Sequence, residues 1–443
     1  MDYYAHVSED GFRCQTVAEH LTGTAALCRA FAGAFGAEAE GELMGLAHDI
    51  GKCTDGFQKR LMEDGSVVDH STAGAVACAR LLHTCAAACV AAMASLAEHV
   101  GSTLVLCTAT QPSLGDLLRA YAPEHTVTEL CPQTEEVYDR FRRVTFRQAG
   151  ILEDDALAER LGDHKQVLCV VNSRKAAQQI FGRLPQEGSF HLSTLMIPAQ
   201  RQTILKEIRR RLKDGEPCRV VSTSLIEAGV DVDFPAVYRE LAGLDSILQA
   251  AGRCNREGKR PAEESIVMIF ERTELPPLLF RTAVGATRYA LEGGRDPAAQ
   301  ETMQRYFCEL RTLSGETLDK YGVVKAFETG ISGCTLPFRT VAERFHFIDE
   351  NTRTVYVPVG EGAALVERLR AGECSKELYR ALGRCAVSVY DQHFKALYAA
   401  GALLTARDVP ALDEDSAILA DLTLYDERAG LTLEPETGKA DFV

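Results

Sequence analysis

Residues 219–257 read RVVSTSLIEAGVDVDFPAVYRELAGLDSILQAAGRCNRE, and the rest of the chain is read outward from them. The stretch opens on an apolar strand (Val220, Val221) that runs into a hydroxyl-bearing turn at Ser222 and Thr223. A Glu-Ala-Gly-Val-Asp segment follows, then an apolar strand at 236–240, then Gln249, Arg253 and Arg256. Spacings of four and three predict that the glutamine and both arginines share one face of a helix. Such a face offers two fixed positive charges to a phosphate chain. The small and hydroxyl residues of 222–233 let backbone N–H groups approach an anion closely.

On either side, apolar strands alternate with helical patterns. Strands are expected at 103–107, 144–147, 166–171, 190–192, 219–222, 236–240 and 265–270, with helices such as 175–184 and 201–213 between them. That alternation predicts an α/β fold with a mainly parallel, doubly wound sheet. Residues 1–84 are helical in pattern, with apolar positions three and four apart through 17–35 and 44–50. Beyond about residue 278 the pattern is mixed: helices at 297–313, 363–369 and 374–382 flank a strand at 353–359.

At 443 residues the chain has room for two or three domains. Its net charge of −15 argues against a basic coat over the whole surface but leaves local basic grooves open. None of its 15 cysteines forms a Cys-x-x-Cys pair, so a zinc ribbon and a thioredoxin-like motif are excluded. Most lie in apolar runs, where a reduced thiol packs as a small hydrophobe. The opening MDYYAHVSEDG carries no signal-peptide pattern and no apolar run is of membrane-spanning length, so a cytoplasmic location without a membrane partner is expected.

A second constellation lies near the N-terminus: His20, the doublet His48-Asp49, Lys52 and His70. Imidazole nitrogen and carboxylate oxygen together suit a divalent transition metal, with Mn, Fe, Co, Ni and Zn not distinguished. Lys52, one turn beyond the doublet, faces the same space and suits a phosphate. Taken singly, each histidine reads equally as an isolated core or surface residue. The set, with GLAHDIGK followed by DHSTAGA, reads as a metal site.

These residues resemble the HD phosphohydrolase superfamily, in which such a doublet holds metal that activates water on a phosphodiester. The order AEHL, LAHDIGK, FQKRL, DHSTAGA resembles a narrower group, the nuclease domain of the CRISPR-associated helicase–nuclease, the effector of type I interference. The resemblance implies that His20, His48 and Asp49 ligate one metal and His70 a second, with Asp49 and Lys52 in catalytic roles. The family's later pair of adjacent histidines and its final aspartate have no counterpart here.

Residues 101–270 resemble, in order, the later motifs of superfamily 2 helicases. Thr108-Ala109-Thr110 is similar to motif III, although a strand-end turn capped by threonines fits the same residues. VLCVVNSR, with Asn172 and Arg174, is similar to motif IV, and HLSTLMIPAQR to the segment that follows it. Residues 222–233 look like motif V and Gln249–Arg256 like motif VI. The resemblance implies that Asp233 sits near the nucleotide sugar or the interdomain cleft. It further implies that Gln249, Arg253 and Arg256 address the γ-phosphate of ATP with Mg, and that Thr108, Thr110, Asn172, Arg174, Ser222 and Thr223 couple it to nucleic acid. Arg209, Arg210 and Lys213 read either as DNA-backbone contacts or as a solvated helix face. The C-terminal stretch through Tyr425-Asp-Glu-Arg-Ala-Gly-Leu also resembles the family but carries no readable chemistry.

Half of the motor is missing from this pattern. No G-x-x-x-x-G-K-[ST] loop occurs, and no Asp-Glu pair follows an apolar strand upstream of Thr108. About thirty residues separate His70 from Gly101, far short of the roughly 100 residues of an ordinary domain. An internal deletion near 76–92, joined through the Ala-rich TCAAACVAAMASLAEHV, accounts for this. The expected organisation is a partial all-α HD-type nuclease domain (1–84) and a junction helix with the motif III remnant of the first RecA-like lobe (85–112). The second RecA-like lobe (113–275) and a mixed C-terminal domain (276–443) follow. Partners implied by the resemblance are single-stranded DNA and the crRNA-guided type I surveillance complex. Three functions stay open: an ATP- and metal-dependent degrader of single-stranded DNA impaired in both activities, a non-enzymatic module binding DNA or that complex, and a metal-dependent phosphohydrolase indifferent to ATP.

Overall fold

The computed structural model describes residues 142–433, except 228–229, 316–320, 324, 327–337 and 345–351, together with residues 4–7, 14–16, 19, 22–23, 26, 93–94 and 128. The chain divides into two compact units, 1–127 with 316–347 and 128–315 with 348–443. His20, His48, Asp49, Lys52, His70, Thr108, Thr110 and the strand expected at 103–107 lie outside the described residues.

In the first unit β1 (Tyr4–Val7) and β2 (Cys14–Thr16) pair antiparallel, a ladder that the helical reading of 1–84 did not include. Strands of four and three residues are too short to carry an alternation signal. Thr16 and Glu19 then form a reciprocal capping box: Glu19 N–H donates to Thr16 Oγ1 (3.1 Å), and the Thr16 N–H and hydroxyl donate to Glu19 Oε2 (2.9 Å each). Glu19, Thr22, Gly23 and Ala26 are helical.

In the second unit six strands form one parallel sheet in the order β3-β8-β7-β4-β6-β5. They are β3 (Thr145–Leu152), β4 (Gln166–Val170), β5 (Ser189–Leu192), β6 (Cys218–Ser222), β7 (Ala236–Glu240) and β8 (Ile266–Arg272). The helices are α1 (Asp154–Gly162), α2 (Arg174–Phe181), α3 (Pro198–Asp214) and α4 (Leu244–Ala251). Period-two alternation sorts β4 between two cores. Val167 and Cys169 pack with Leu157, Leu161, Ala177 and Ile180 of α1 and α2, whereas Leu168 and Val170 pack with Ile208 of α3 and Ala250 of α4. Burial on both faces explains why the central strands read as continuous apolar runs. Each fully buried aliphatic side chain contributes about 1.5–3 kcal/mol.

Helices α5 (Leu278–Leu291) and α6 (Gln300–Ser314) follow, then a four-stranded mixed sheet in the order β10-β9-β12-β11. Its parts are β9 (Thr352–Tyr356), α7 (Glu361–Arg370), α8 (Lys376–Leu382), β10 (Ala386–Tyr390), α9 (Asp391–Ala399), β11 (Leu403–Leu404) and β12 (Ser416–Leu419). Leu195 and Ile197, from the loop before α3, share one core with Val355, Val387, Leu397 and Leu419. The parallel sheet and the C-terminal sheet are therefore joined by burial.

The unexplained Tyr425-to-Leu431 stretch forms the clasp at that joint. It folds as the β13 (Tyr425–Asp426) and β14 (Gly430–Leu431) hairpin. The Ile197 N–H donates to Tyr425 Oη (3.0 Å), and the Leu431 N–H donates to the Leu195 carbonyl (2.9 Å). Gly430 has φ +80°, and a Cβ there would lie 2.6 Å from the Leu195 carbonyl oxygen, so only glycine lets the hairpin close. Beside it His191 on β5 is fully buried, its ring 5.7 Å from that of Phe181 and neither ring nitrogen partnered. Burial pushes its pKa down to about 4.

Candidate functional site

Parallel α/β sheets bind ligands outside the carboxyl ends of their strands, and several of the sequence-predicted residues gather there. Asn172 follows β4 and stitches it to β7: its N–H donates to Glu240 Oε2 (2.8 Å), and its Nδ2 donates to the Leu241 carbonyl (2.8 Å). Its Oδ1 accepts from Nη1 of Arg239 (2.8 Å), a residue 1% exposed within β7. Ser222, at the end of β6, is buried and donates from Oγ to the Leu192 carbonyl on β5 (3.0 Å), while the Thr223 N–H donates to the same oxygen (3.1 Å). Arg174 opens α2 and turns toward the C-terminal sheet, its Nη1 donating to the Ser388 carbonyl (2.8 Å).

Arg239 Nε lies 3.0 Å from Glu227 Oε1, both side chains buried. The contact is an ion pair without hydrogen-bond alignment, since both atoms lack a hydrogen-bond partner. Burial drives the Glu227 carboxyl up to about 7 against the opposing pull of Arg239. Burial also raises Glu240, opposed by the Asn172 N–H. An arginine and two glutamates are thus held among apolar strands where charge is costly unless paired.

From the carboxyl end of β6 the chain must return to the amino end of β7. Val230 and Val232 on this return pack with Ala250 and Ala251 of α4. Here the helix reading of Gln249, Arg253 and Arg256 is corrected. Helix α4 carries the half-buried Gln249 but ends at Ala251 with Gly252 as its C-cap, and Arg253 and Arg256 lie in the turns beyond. The turn is fixed by a bridge between Phe234 and Cys254 and by Asn255, which adopts φ 48°. Asn255 Nδ2 donates to the Arg143 (2.8 Å) and Arg260 (2.7 Å) carbonyls.

Arg253 is 8% exposed and reaches back to the return segment, Nε donating to the Ile226 carbonyl (3.0 Å) and Nη2 to that of Glu227 (2.5 Å). Asp233 Oδ1 accepts the Arg256 N–H (2.8 Å) and Arg260 Nη1 (3.3 Å), and the Arg256 guanidinium pairs with Asp231 (2.7 Å). In α3, Arg210 is held by Glu207, Asp214 and Glu216, and Arg209 donates to the Asp231 carbonyl (3.2 Å). The start of α4 is tied to α6 by Tyr306 Oη, which donates to Asp245 Oδ1 (2.8 Å). A Cβ on Gly243 would fall 2.4 Å from that oxygen and 2.7 Å from Tyr306 Oη, so a larger residue here would displace these side-chain ends.

As placed, this donor set does not cradle a nucleotide. Arg253 is satisfied by main-chain carbonyls, Arg256 by Asp231, and Asp233 by the loop beside it. Among the described residues no group of three or more His, Cys, Asp or Glu side chains is arranged to hold a metal. None of their helices is long and apolar enough to cross a membrane. A cavity of about 320 Å³ lined by Gln148, Glu271, Arg288 and Glu292 contains none of the sequence-predicted residues. Sequence reasoning missed Glu227, Arg239, Glu240 and Asn255 as organisers. The one signal available was the Arg-Glu pair closing the otherwise apolar strand AVYRE.

Residues 163–259 match the family model described as CRISPR-associated nuclease/helicase Cas3, C-terminal, and residues 17–114 match the HD domain model. The second match continues past residue 84 over the segment read above as junction and motif III-like strand. The CRISPR-associated nuclease/helicase Cas3 of Methanothermobacter thermautotrophicus is 31% identical over 176 residues, 39% of this chain and 20% of that protein. That of Haloferax volcanii is 33% identical over 182 residues, 40% of this chain and 18% of that protein. The crystal structure of T. fusca Cas3-ADP aligns with a TM-score of 0.45 at 15% identity, covering 66% of this chain and 43% of that one. The alignments thus span about a fifth of the length of these curated relatives.

Proposed function

We propose, from the premise that this chain is Cas3-like, that it keeps the single-strand-binding half of a CRISPR-interference helicase–nuclease without ATP turnover of its own. The observation that carries this reading is the state of Arg253. Both of its engaged nitrogens donate to the carbonyls of Ile226 and Glu227 inside the lobe, and the sequence has no phosphate loop to draw it out. The carboxyl ends of the strands are otherwise stitched, β4 to β7 through Asn172 and β6 to β5 through Ser222 and Thr223. Single-stranded DNA is the nucleic acid that a helicase relative is expected to hold, and a crRNA-guided surveillance complex is the partner that would deliver it.

The test is ATP hydrolysis by the purified chain, with and without single-stranded DNA, beside Arg253→Ala. The expected result is no DNA-stimulated turnover in either. Turnover that Arg253→Ala abolishes would overturn the reading, because it would require a completed cleft.

The HD match supports a second activity independent of ATP. The matched span contains His20, His48, Asp49, Lys52 and His70, a donor set suited to a divalent transition metal. Bound there, a metal would supply activated water for phosphodiester hydrolysis. Manganese-dependent cleavage of single-stranded DNA that is indifferent to ATP and lost in His48→Ala would support this activity. Cleavage unchanged in His48→Ala would refute it.

A further inference from the structure

We infer that Tyr390 is a stacking platform for an unpaired nucleobase, set where the carboxyl end of β4 meets the C-terminal sheet. The inference rests on the single-strand-binding reading above and names the residue that would grip a base. Tyr390 closes β10, an edge strand of its sheet, and is 49% exposed. The Arg174 guanidinium lies 4.6 Å from the centre of its ring. That cation is fixed by its bond to the Ser388 carbonyl, and its Nη2 is buried without a partner. The His393 ring flanks the tyrosine at 6.3 Å. Tyr390 therefore stands on a rigid cationic support, directly beside the Asn172–Arg174 segment, with half of its surface facing solvent.

The surrounding charge has the sign that a phosphodiester backbone requires. Arg353 lies against Phe394 (4.8 Å) and, like Lys395, pairs with Asp391 (3.0 and 2.5 Å). Asp415 is 3.8 Å from Arg353. Arg174, Arg353 and Lys395 set against Asp391 and Asp415 leave one positive charge in excess here, on a chain whose net charge is −15. Aromatic faces with adjacent cations bind single strands with little sequence preference, because every base presents a π face. Bases in a duplex are already stacked on their neighbours, so the ligand that fits is unpaired.

The chain contains no tryptophan, so Tyr390→Trp adds a single reporter of stacking. Titration with oligothymidylate is expected to quench its emission with the affinity that anisotropy of a labelled oligonucleotide gives for the unaltered chain. Tyr390→Ala should weaken binding roughly five- to hundredfold. Tyr390→Phe, and Tyr398→Ala at the 45%-exposed tyrosine further along α9, should each change it by less than about twofold. Binding by a folded Tyr390→Ala equal to that of the unaltered chain overturns the inference and leaves the single-strand-binding reading standing. No binding by the unaltered chain overturns both. Should Tyr390→Ala unfold, the Tyr390→Trp emission decides alone: unmoved emission at saturating oligonucleotide refutes stacking.

Discussion

Replacing His191 with phenylalanine should make the second unit less sensitive to acid. The ring is fully buried, neither nitrogen has a partner, and burial pushes its pKa from 6.5 down to about 4. Between those values the unfolded chain binds a proton that the folded chain refuses, so stability falls as pH falls. A difference of about 2.5 units corresponds to about 3 kcal/mol once pH is below 4, of which about 2 kcal/mol is already lost at pH 5. Above pH 6.5 the contribution is fully retained. Glu227 acts oppositely, because its raised carboxyl pKa favours the folded state as pH falls through 7. The unaltered chain alone therefore gives a partly cancelled profile, and only its difference from the variant isolates the histidine. Urea unfolding followed by circular dichroism at pH 7.5 and pH 5 measures that difference. His191→Phe should lose about 2 kcal/mol less than the unaltered chain over this interval. Parallel losses in the two proteins would refute the argument, since they would mean that the folded state accepts the proton as readily as the unfolded one.

Glu227→Gln, run in the same assay, should stop the fall in stability that the unaltered chain shows between pH 5 and pH 8 on this residue's account, because the amide has no proton to lose in the buried site. An unchanged slope would mean that Glu227 stays ionised beside Arg239 throughout. Gly430→Ala puts a Cβ 2.6 Å from the Leu195 carbonyl at a left-handed φ. It should cost at least about 1–2 kcal/mol and release the hairpin, read as faster hydrogen exchange at the Leu431 N–H; unchanged exchange would refute the clasp.

The parallel sheet was legible because its central strands are buried on both faces, and such strands print as unbroken apolar runs bounded by turns. Residues 236–240 coincide with β7, and the expected strands at 166–171 and 219–222 end within a residue of β4 and β6. Helix α1 was not anticipated. Its sequence DDALAERLG buries only Leu157, Ala158 and Leu161, too few positions to set a period. The hairpin clasp was invisible for a different reason: it closes by a backbone approach at Gly430 and by the bond from the Ile197 N–H to Tyr425 Oη, partners 228 residues apart that no local pattern links. The residues after β4 and β6 were singled out by their resemblance to motifs IV and V and lie at the carboxyl ends of those strands, but the spacing misled beyond α4. Four- and three-residue intervals mimic a helical face, yet Gly252 ends the helix and the bridge to Phe234 turns the chain, so Arg253 and Arg256 reach their partners from a loop.

That loop explains why one residue joins the two clusters. The Glu227 carboxylate faces Arg239, which is tied through Asn172 to the carboxyl ends of β4 and β7, while its carbonyl accepts from Arg253. Any ligand that withdrew Arg253 would leave the Ile226 and Glu227 carbonyls without those donors. Hydrogen bonds to charged groups contribute about 1.5–3 kcal/mol each, so withdrawal opposes the ligand by several kcal/mol and unsettles the Glu227–Arg239 pair as well. In a complete cleft, several donors around a phosphate chain offset that cost together. On the reading proposed above, the sequence supplies no phosphate loop to make that offset, and Arg253 stays where it lies, bracing the return segment from within.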